Sequence, residues 1–190
     1  VLFFNKDYEP YAINRDQHIT ELLAQNGVKV QAFKDQVIFE EAEITKADGL
    51  PYTVYTPYKN KWLEKYKTIA PVTEHETTVF SENWLASSFV FPSLSAIGFE
   101  TSSIKVKPHN LTKIANYNET RDFPALDTTS YLSPHLRFGT VSVRKLVNWA
   151  ACKNDVFLSE LIWREFFMQI LYHFPKVVQH NFKSAYDGIQ

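Results

Sequence analysis

The chain has 190 residues, enough for one large domain or two small ones, and its 45% hydrophobic residues can form a sizeable core. Twenty basic against twenty-one acidic residues give a formal net charge of -1, which excludes a global positive field, so a nucleic-acid partner requires a local basic patch. The single cysteine, Cys152, excludes an internal disulfide and favours a reducing compartment, with the cytoplasm as the expected location.

The first 27 residues predict a strand followed by a helix. The apolar run "VLFF" at 1–4 is the strand candidate, and Gly27 is a favoured residue just past a helix C-terminus. The chain starts in mid-pattern without a methionine and ends abruptly, so we expect a piece of a longer polypeptide. The apolar residues of the predicted helix share one face: Ala12, Ile19, Leu22 and Leu23.

Residues 29–67 continue the alternation of extended and helical patterns. "KVQAF" at 29–33 and "DQVIFE" at 35–40 are typical of extended segments, and "YTVYT" at 52–56 is typical of a strand. A short helix is then expected, with Thr56 as its N-cap and Pro57 at its first position. The order strand, helix, strand favours part of a doubly wound α/β sheet.

From about residue 69 to residue 117 no periodicity is visible, and the stretch is much longer than an ordinary connection. It predicts an interdomain linker with short helical pieces, anchored by the aromatic residues Trp84, Phe89 and Phe91. The longest uncharged stretch, 83–99, is interrupted by Ser, Pro and Gly, so no membrane association is expected.

The last third of the chain predicts helices. One is expected with Ser133 as N-cap and Pro134 at its first position, ended by Gly139. Ser142 can cap a second helix, and a third is expected from about Val156 to His173.

The third of these helices carries charges among large apolar side chains. One interpretation is an exposed ion pair between Glu160 and Arg164, four residues apart, worth about 0.3 to 0.5 kcal/mol. The other is a cleft wall that combines a stacking surface with hydrogen-bonding groups, as a flat heterocyclic ligand requires. Spacings of three and four residues place five side chains on one side of the helix: Phe157, Glu160, Trp163, Arg164 and Phe167.

The stretch "DTTSYLSPHLR" at 127–137 clusters hydroxyls where a helix begins, namely those of Thr128, Thr129, Ser130 and Ser133. A helix N-terminus favours anions such as phosphate, with Arg121 as a candidate partner, whereas the alternative is plain capping by Ser133. The six histidines show no metal-ligand spacing, so no metal site is expected.

Two motifs in this order and separation are specific to a known family. "NYNETRDFPALDTTSYLSPHLRFGTVSVRKL" at 116–146 and "ELIWREFFMQIL" at 160–171 resemble the flavin-binding helical domain of the DNA photolyase and cryptochrome family. "KDQVIFE" and "YTVYTPYKNKWL" resemble the latter part of its N-terminal α/β domain. Among subfamilies the chain is most similar to the bacterial class that repairs cyclobutane pyrimidine dimers.

The resemblance implies an α/β plus all-α fold. Residues 1–68 would be the remnant of the N-terminal doubly wound α/β antenna domain, 69–116 the interdomain linker, and 117–190 the first part of the helical FAD-binding domain. Tyr11 and Ala12 stand where folate-carrying members have an Asn-Glu pair, which argues against a folate antenna and leaves the antenna chromophore unknown.

The resemblance also implies site residues. Phe157 takes a position usually held by a tryptophan that packs on FAD. Glu160 and Trp163 are the implied catalytic residues, since they match the carboxylate that hydrogen-bonds the damaged base and the aromatic wall of the dimer pocket. The implied FAD-binding residues are Tyr117, Thr129, Ser130, Tyr131, Leu132, Ser133 and Phe157, and the implied DNA-binding residues are Arg121, Glu160, Trp163, Arg164 and Phe167.

In this family reduced FAD absorbs blue light and donates an electron to the dimer, so the implied partner is damaged DNA and the complete protein is expected to be a monomeric lyase. The family continues with helices that close around the flavin. We therefore expect this fragment to bind FAD weakly or not at all, to be inactive, and to self-associate through exposed apolar surface. Two other functions stay open: a cryptochrome photoreceptor and a non-enzymatic interaction scaffold.

Overall fold

The computed structural model describes residues 1–74, 82 and 88–188. Strand β1 (Leu2–Asn5), helix α1 (Pro10–Gln25) and strand β2 (Val30–Phe33) form one strand–helix–strand unit. The strands pair in parallel, with Leu2 opposite Val30 and Asn5 opposite Phe33. The two strands and the helix predicted for residues 1–33 are confirmed.

The segment between β2 and the next helix differs from the prediction. Neither "DQVIFE" nor "YTVYT" joins the sheet, and an isolated bridge between Thr45 and Pro51 is the β pairing of this region. Helix α2 (Tyr55–Ile69) begins before Thr56, with Val54 as its N-cap, so Thr56 and Pro57 lie in its first turn. The strand prediction is wrong because aromatic residues at helical spacing are buried against the helical half, and this packing overrides the β propensity of the local sequence.

Where the structure describes the predicted linker, short 3-10 turns lie at Ser95–Ile97 and Leu111–Ile114. Phe91 is 90% exposed, so its predicted anchoring is wrong; Phe89 is 93% exposed, and Trp84 lies outside the described residues. Val72 and Leu111 pack against the core as partly buried side chains, and the most buried side chain among the described linker residues is Ile114, which is 1% exposed. Aromatic content alone did not identify it, because burial depends on where the segment meets the helices.

The helical half contains α3 (Tyr117–Thr120), α4 (Leu132–Arg137), α5 (Val143–Lys153) and α6 (Asp155–His173), followed by 3-10 turns at Pro175–Val178 and Ser184–Tyr186. The observed order confirms the predicted combination of an α/β part with a helical part. Among the described residues, no helix is both long and apolar enough to cross a membrane.

The helix starts are set by local capping. Ser142 caps α5 as predicted, since its hydroxyl accepts the N–H of Lys145 at 3.4 Å. The predicted cap of α4 is wrong: Tyr131, with φ 57°, is the N-cap, and Ser133 lies inside the helix. Asn154 caps α6 by accepting the N–H of Phe157 at 3.0 Å.

One hydrophobic core joins α2, α5 and α6 with the segment that follows β2. Full burial of each large apolar side chain contributes about 1.5 to 3 kcal/mol. Because α6 packs on both α2 and α5, it is the element whose position determines the site. The largest fully buried side chains of this core are Trp62, Tyr58, Phe39, Ile44, Ile114, Leu146, Ile162 and Val147.

Candidate functional site

A cavity of about 640 Å³ lies against α6. Its walls come from three regions: α6, the 117–137 region, and the loop after β1 together with Gln36. Most side chains that the sequence assigned to the site line this cavity: Tyr117, Arg121, Thr129, Ser130, Leu132, Ser133, Phe157, Glu160 and Arg164. Trp163, Phe167 and Tyr131 do not.

At one end of the cavity an acid–guanidinium pair meets two aromatic rings. The Arg121 Nη1 atom lies 2.6 Å from Glu160 Oε1, and the guanidinium carbon lies 5.3 Å from the centroid of the Tyr117 ring. Tyr117 and Phe157 meet edge to face, with ring centroids 5.3 Å apart. The hydrogen bond to Glu160 raises the pKa of Arg121, and burial raises the pKa of Tyr117. This end therefore combines an anionic acceptor, a fixed cation and an aromatic surface.

Arg164 does not pair with Glu160, so the interpretation as an exposed i,i+4 ion pair is wrong. Its Nη1 atom donates to the backbone carbonyl of Gln36 at 2.7 Å. Burial lowers the pKa of Arg164, and the residue lines both the main cavity and a second one of about 520 Å³ near α4 and α5. Glu160 and Arg164 therefore have different partners, and Glu160 pairs with Arg121.

The hydroxyl-rich stretch lies along another wall. Thr129, Ser130 and Ser133 line the cavity, and the backbone carbonyl of Ser130 is fixed by the N–H of Asn110 at 2.9 Å. Tyr131 is directed elsewhere: its hydroxyl donates to Asp127, and Lys107 lies 4.5 Å from its ring centroid. The left-handed backbone at Tyr131 turns this one side chain away from its neighbours.

Trp163 lies in an aromatic stack on a different side of α6. Its ring is nearly parallel to that of Tyr55, at 9° and 3.5 Å between centroids, and Phe167 stacks on it at 24° and 5.3 Å. Phe167 is 61% exposed and ends the stack. In this arrangement both faces of the Trp163 indole are covered, and the outer aromatic surface is that of Phe167.

Glu165, for which the sequence indicated no role, is buried at the junction of α6, α2 and the segment after β2. It is 2% exposed, and its carboxylate accepts the N–H groups of Ile38 at 2.6 Å and Phe39 at 3.0 Å. Trp62 Nε1 donates to it at 2.8 Å and the Tyr58 hydroxyl at 3.5 Å. Burial raises the pKa of Glu165 to about 7, against the opposing effect of these hydrogen bonds and of Arg164.

The loop after β1 supplies cavity residues that the sequence analysis missed. Asp7, Tyr8 and Glu9 line the cavity from this loop, and Gln36 lines it from the segment after β2. No local pattern could have identified them, because they reach the cavity only through long-range packing. In the part of the chain that the structure describes, no group of three or more His, Cys, Asp or Glu side chains is arranged to hold a metal ion.

Comparison with known sequences gives consistent relatives. Residues 1–77 match the protein family described as DNA photolyase. The chain is 31% identical over 206 residues to the deoxyribodipyrimidine photo-lyase of Halobacterium salinarum, which covers 95% of this chain and 43% of that protein. It is 29% identical over 214 residues to the photo-lyase of a Synechococcus species, covering 97% of this chain and 44% of that protein. The chain thus spans less than half the length of these relatives.

Solved structures give the same result. The chain is similar to a bacterial class III photolyase from Agrobacterium tumefaciens, with a TM-score of 0.78, 26% identity, and coverage of 99% of this chain and 44% of that chain. An archaeal photolyase from Sulfolobus tokodaii, solved with two FAD molecules, has a TM-score of 0.61 and 22% identity, with 100% and 43% covered, and supports the fold alone. These matches confirm the family resemblance inferred from the sequence motifs.

Proposed function

We propose, on the premise that the chain is a relative of the DNA photolyases, that the protein it belongs to is a deoxyribodipyrimidine photo-lyase. In this proposal it splits cyclobutane pyrimidine dimers in DNA by light-driven electron transfer from reduced FAD. One observation carries the proposal: the Arg121–Glu160 pair, the Tyr117–Phe157 rings and the hydroxyl-rich stretch border a single cavity. A flavin and a damaged base together require that combination of acceptor, cation and aromatic surface.

The chemistry of the donor set fits FAD. The hydroxyls of Thr129, Ser130 and Ser133 suit its phosphates, and Tyr117 and Phe157 suit a flat heterocycle. When bound, the reduced cofactor supplies the photochemistry by absorbing blue light and donating an electron to the dimer. The protein's own residues bind it, orient it and keep water out of the cavity. Tyr131 and Leu132 belong to the same proposed binding stretch, although Tyr131 is directed away from the cavity.

The proposed lesion-binding residues act on DNA from α6 and α3. Glu160 accepts hydrogen bonds from the edge of a base, and Arg121 contacts a phosphate near the lesion. Arg164 supplies a partly buried cation in the cavity wall, while Phe167 supplies an exposed stacking surface that is backed by Trp163. Extruding the dimer from the duplex costs a few kcal/mol, less than for intact bases, which favours damaged sites.

A second candidate function is favoured by one observation. Large apolar side chains along 88–106 are exposed, including Phe91, Leu94, Ile97, Phe99, Ile104 and Val106. Such a surface suits an interaction scaffold or self-association of this chain. Light scattering on the 190-residue chain separates a monomer from a dimer, and a monomer at all concentrations contradicts the scaffold.

The test of the principal proposal uses the complete protein with FAD and an oligonucleotide that contains one pyrimidine dimer. Loss of the dimer under blue light but not in the dark supports a photo-lyase. Flavin photoreduction without loss of the dimer favours a cryptochrome photoreceptor instead.

The proposed location remains the cytoplasm, and the proposed oligomeric state of the complete protein remains the monomer.

A further inference from the structure

The segment that follows β2 has its backbone held by side chains of α6. It makes no sheet pairing, yet five of its backbone groups between Gln36 and Glu41 have side-chain partners on α6, far along the chain. Buried backbone polar groups need such partners, and here side chains replace a neighbouring strand. The bonds are Arg164 to the Gln36 carbonyl at 2.7 Å, Ile38 and Phe39 N–H to Glu165 at 2.6 and 3.0 Å, Gln169 to the Phe39 carbonyl at 3.2 Å, and His173 to the Glu41 carbonyl at 3.0 Å.

Glu165 is the centre of this arrangement, which we call the α6 clamp. It is the residue of the clamp that accepts two consecutive backbone N–H groups, and it also accepts the indole N–H of Trp62 from α2. A buried carboxylate is tolerated only when its oxygens are satisfied by donors in good geometry. Because these donors come from two different elements, any shift of α6 breaks several hydrogen bonds at once.

The clamp connects the two walls of the main cavity. Glu160 and Arg164 line the cavity from α6, while Tyr8 and Gln36 line it from the loops that follow β1 and β2. Arg164 joins the walls directly through the Gln36 carbonyl, and Glu165 holds the residues that follow Gln36. The spacing between the walls is therefore determined where Glu165 meets Ile38 and Phe39.

We propose that Glu165 is a positioning residue of this site, which fixes α6 against residues 36–41 and thereby sets the width of the ligand cavity. It does not touch the ligand itself and acts through Glu160 and Arg164. The inference rests on the proposed function only for the identity of the ligand, FAD, since the role in cavity width follows from the hydrogen bonds alone.

The test compares three variants of the complete protein. Glu165→Gln keeps the size but offers one acceptor and two donors, whereas Glu165→Asp keeps the charge but is too short for the same contacts. Glu64→Gln is the matched control, because Glu64 is an exposed carboxylate on α2 that pairs with Lys61. If Glu165→Gln does not fold, Trp62→Phe is measured instead. This variant removes one hydrogen-bond donor to Glu165 and keeps an aromatic ring.

Two measurements are made well below the unfolding midpoint, where lost stability alone changes neither. The first is the distance distribution between spin labels at Tyr11→Cys on α1 and Asp155→Cys on α6, both exposed positions, with the exposed Cys152 replaced by Ser. The second is the Kd for FAD. We expect Glu165→Gln and Glu165→Asp to shift or broaden the distribution and to weaken FAD binding about tenfold, the order expected when buried donors lose their acceptor.

An unchanged distance distribution in a folded Glu165 variant overturns the inference, and so does full rescue by Glu165→Asp, which indicates a role of charge alone. If the wild-type protein binds no FAD, the proposed function fails, and the spin-label comparison still decides whether Glu165 sets the spacing of the walls.

Discussion

Arg121 on the loop after α3 and Glu160 on α6 form an ion pair across the mouth of the cavity, with 2.6 Å between Nη1 and Oε1. The two residues are 39 positions apart, and their side chains are each about one-third exposed, at 36% and 31%. Solvent screens a pair at this depth, so it is available for exchange with a ligand. We infer that DNA binding opens this pair: Arg121 turns to a phosphate while Glu160 turns to a base edge.

Substitution of Glu160 by Gln should lower the affinity for a dimer-containing oligonucleotide about tenfold, since hydrogen bonds to a charged acceptor are among the strong ones. The affinity for an undamaged duplex should change little. Fluorescence anisotropy with both oligonucleotides measures the difference, and Glu64→Gln on α2 is the control. An equal loss for damaged and undamaged DNA would remove Glu160 from lesion recognition.

Substitution of Arg121 by Ala should weaken binding to damaged and undamaged DNA alike, because a phosphate contact carries no base information. The slope of log affinity against log salt should decrease by about one. Binding titrations at three salt concentrations give this slope, with Lys61→Ala on the exposed side of α2 for comparison. A slope identical to wild type would mean that Arg121 makes no phosphate contact and acts only as the ion-pair partner of Glu160.

Phe167, as the open end of the Tyr55–Trp163–Phe167 stack, should be a stacking surface for a base. Phe167→Ala is expected to weaken DNA binding by about 1 to 3 kcal/mol, and Phe167→Leu should not restore it because leucine has no ring face. Phe91→Ala, at 90% exposed, is the matched control for loss of an exposed ring. Restoration by leucine indicates apolar packing instead of stacking.

The raised pKa of Glu165 makes stability depend on pH. Burial raises its pKa to about 7, from an ordinary value of 4.5, so the folded state holds the proton more tightly than the unfolded chain. The protonated Glu165 therefore contributes to the free energy of unfolding, by roughly 3 kcal/mol in total. This contribution is fully present below about pH 4.5 and is lost as the pH rises through 7. The groups that face this carboxyl are the phenols of Tyr8 and Tyr58, the Trp62 indole, and the Arg164 guanidinium.

Urea unfolding at pH 5.5 and pH 8.5 measures the effect. The wild-type free energy of unfolding should decrease between these values, and that of Glu165→Gln should be nearly level over the same window. A wild-type protein that is more stable at pH 8.5 would show that the hydrogen bonds to the carboxylate outweigh its burial.

Asn154 should contribute more to stability than an ordinary cap. Besides capping α6, its amide donates to the carbonyls of Ile114 at 3.1 Å and Ala115 at 3.2 Å. Ser142→Ala removes a cap alone and should cost about 1 kcal/mol. Asn154→Ala should cost at least about 1 kcal/mol more, because buried carbonyls lose their donor. Equal losses in the free energy of unfolding for Ser142→Ala and Asn154→Ala, measured by chemical denaturation, would show that Asn154 acts only as a cap.

The charged residues of α6 illustrate what a local pattern can and cannot predict. Spacing placed five side chains on one side of a helix; Phe157, Glu160 and Arg164 line the cavity, whereas Trp163 and Phe167 do not. The same spacing offered Arg164 as the partner of Glu160, whereas the observed partner is Arg121. Periodicity orders neighbours within one helix, but it carries no information on residues that tertiary packing brings close.

Glu165 and the segment after β2 also show that local sequence patterns do not predict long-range contacts. "DQVIFE" is a good strand sequence, yet the N–H groups of Ile38 and Phe39 donate to Glu165 of α6, about 126 residues later. "YTVYT" has β propensity, but burial of Tyr58, Trp62 and Tyr66 at helical spacing starts a helix at Tyr55. The family motifs, which span both regions, carried the prediction of the site further than local propensity did.

The most direct test of the account is light-dependent repair by the complete protein with reduced FAD, measured as loss of a single dimer from an oligonucleotide. Wild-type protein should remove the dimer under blue light and leave it intact in the dark, and Glu160→Gln should do so more slowly. A protein that binds FAD and dimer-containing DNA yet leaves the dimer intact in both light and dark would contradict the proposed function.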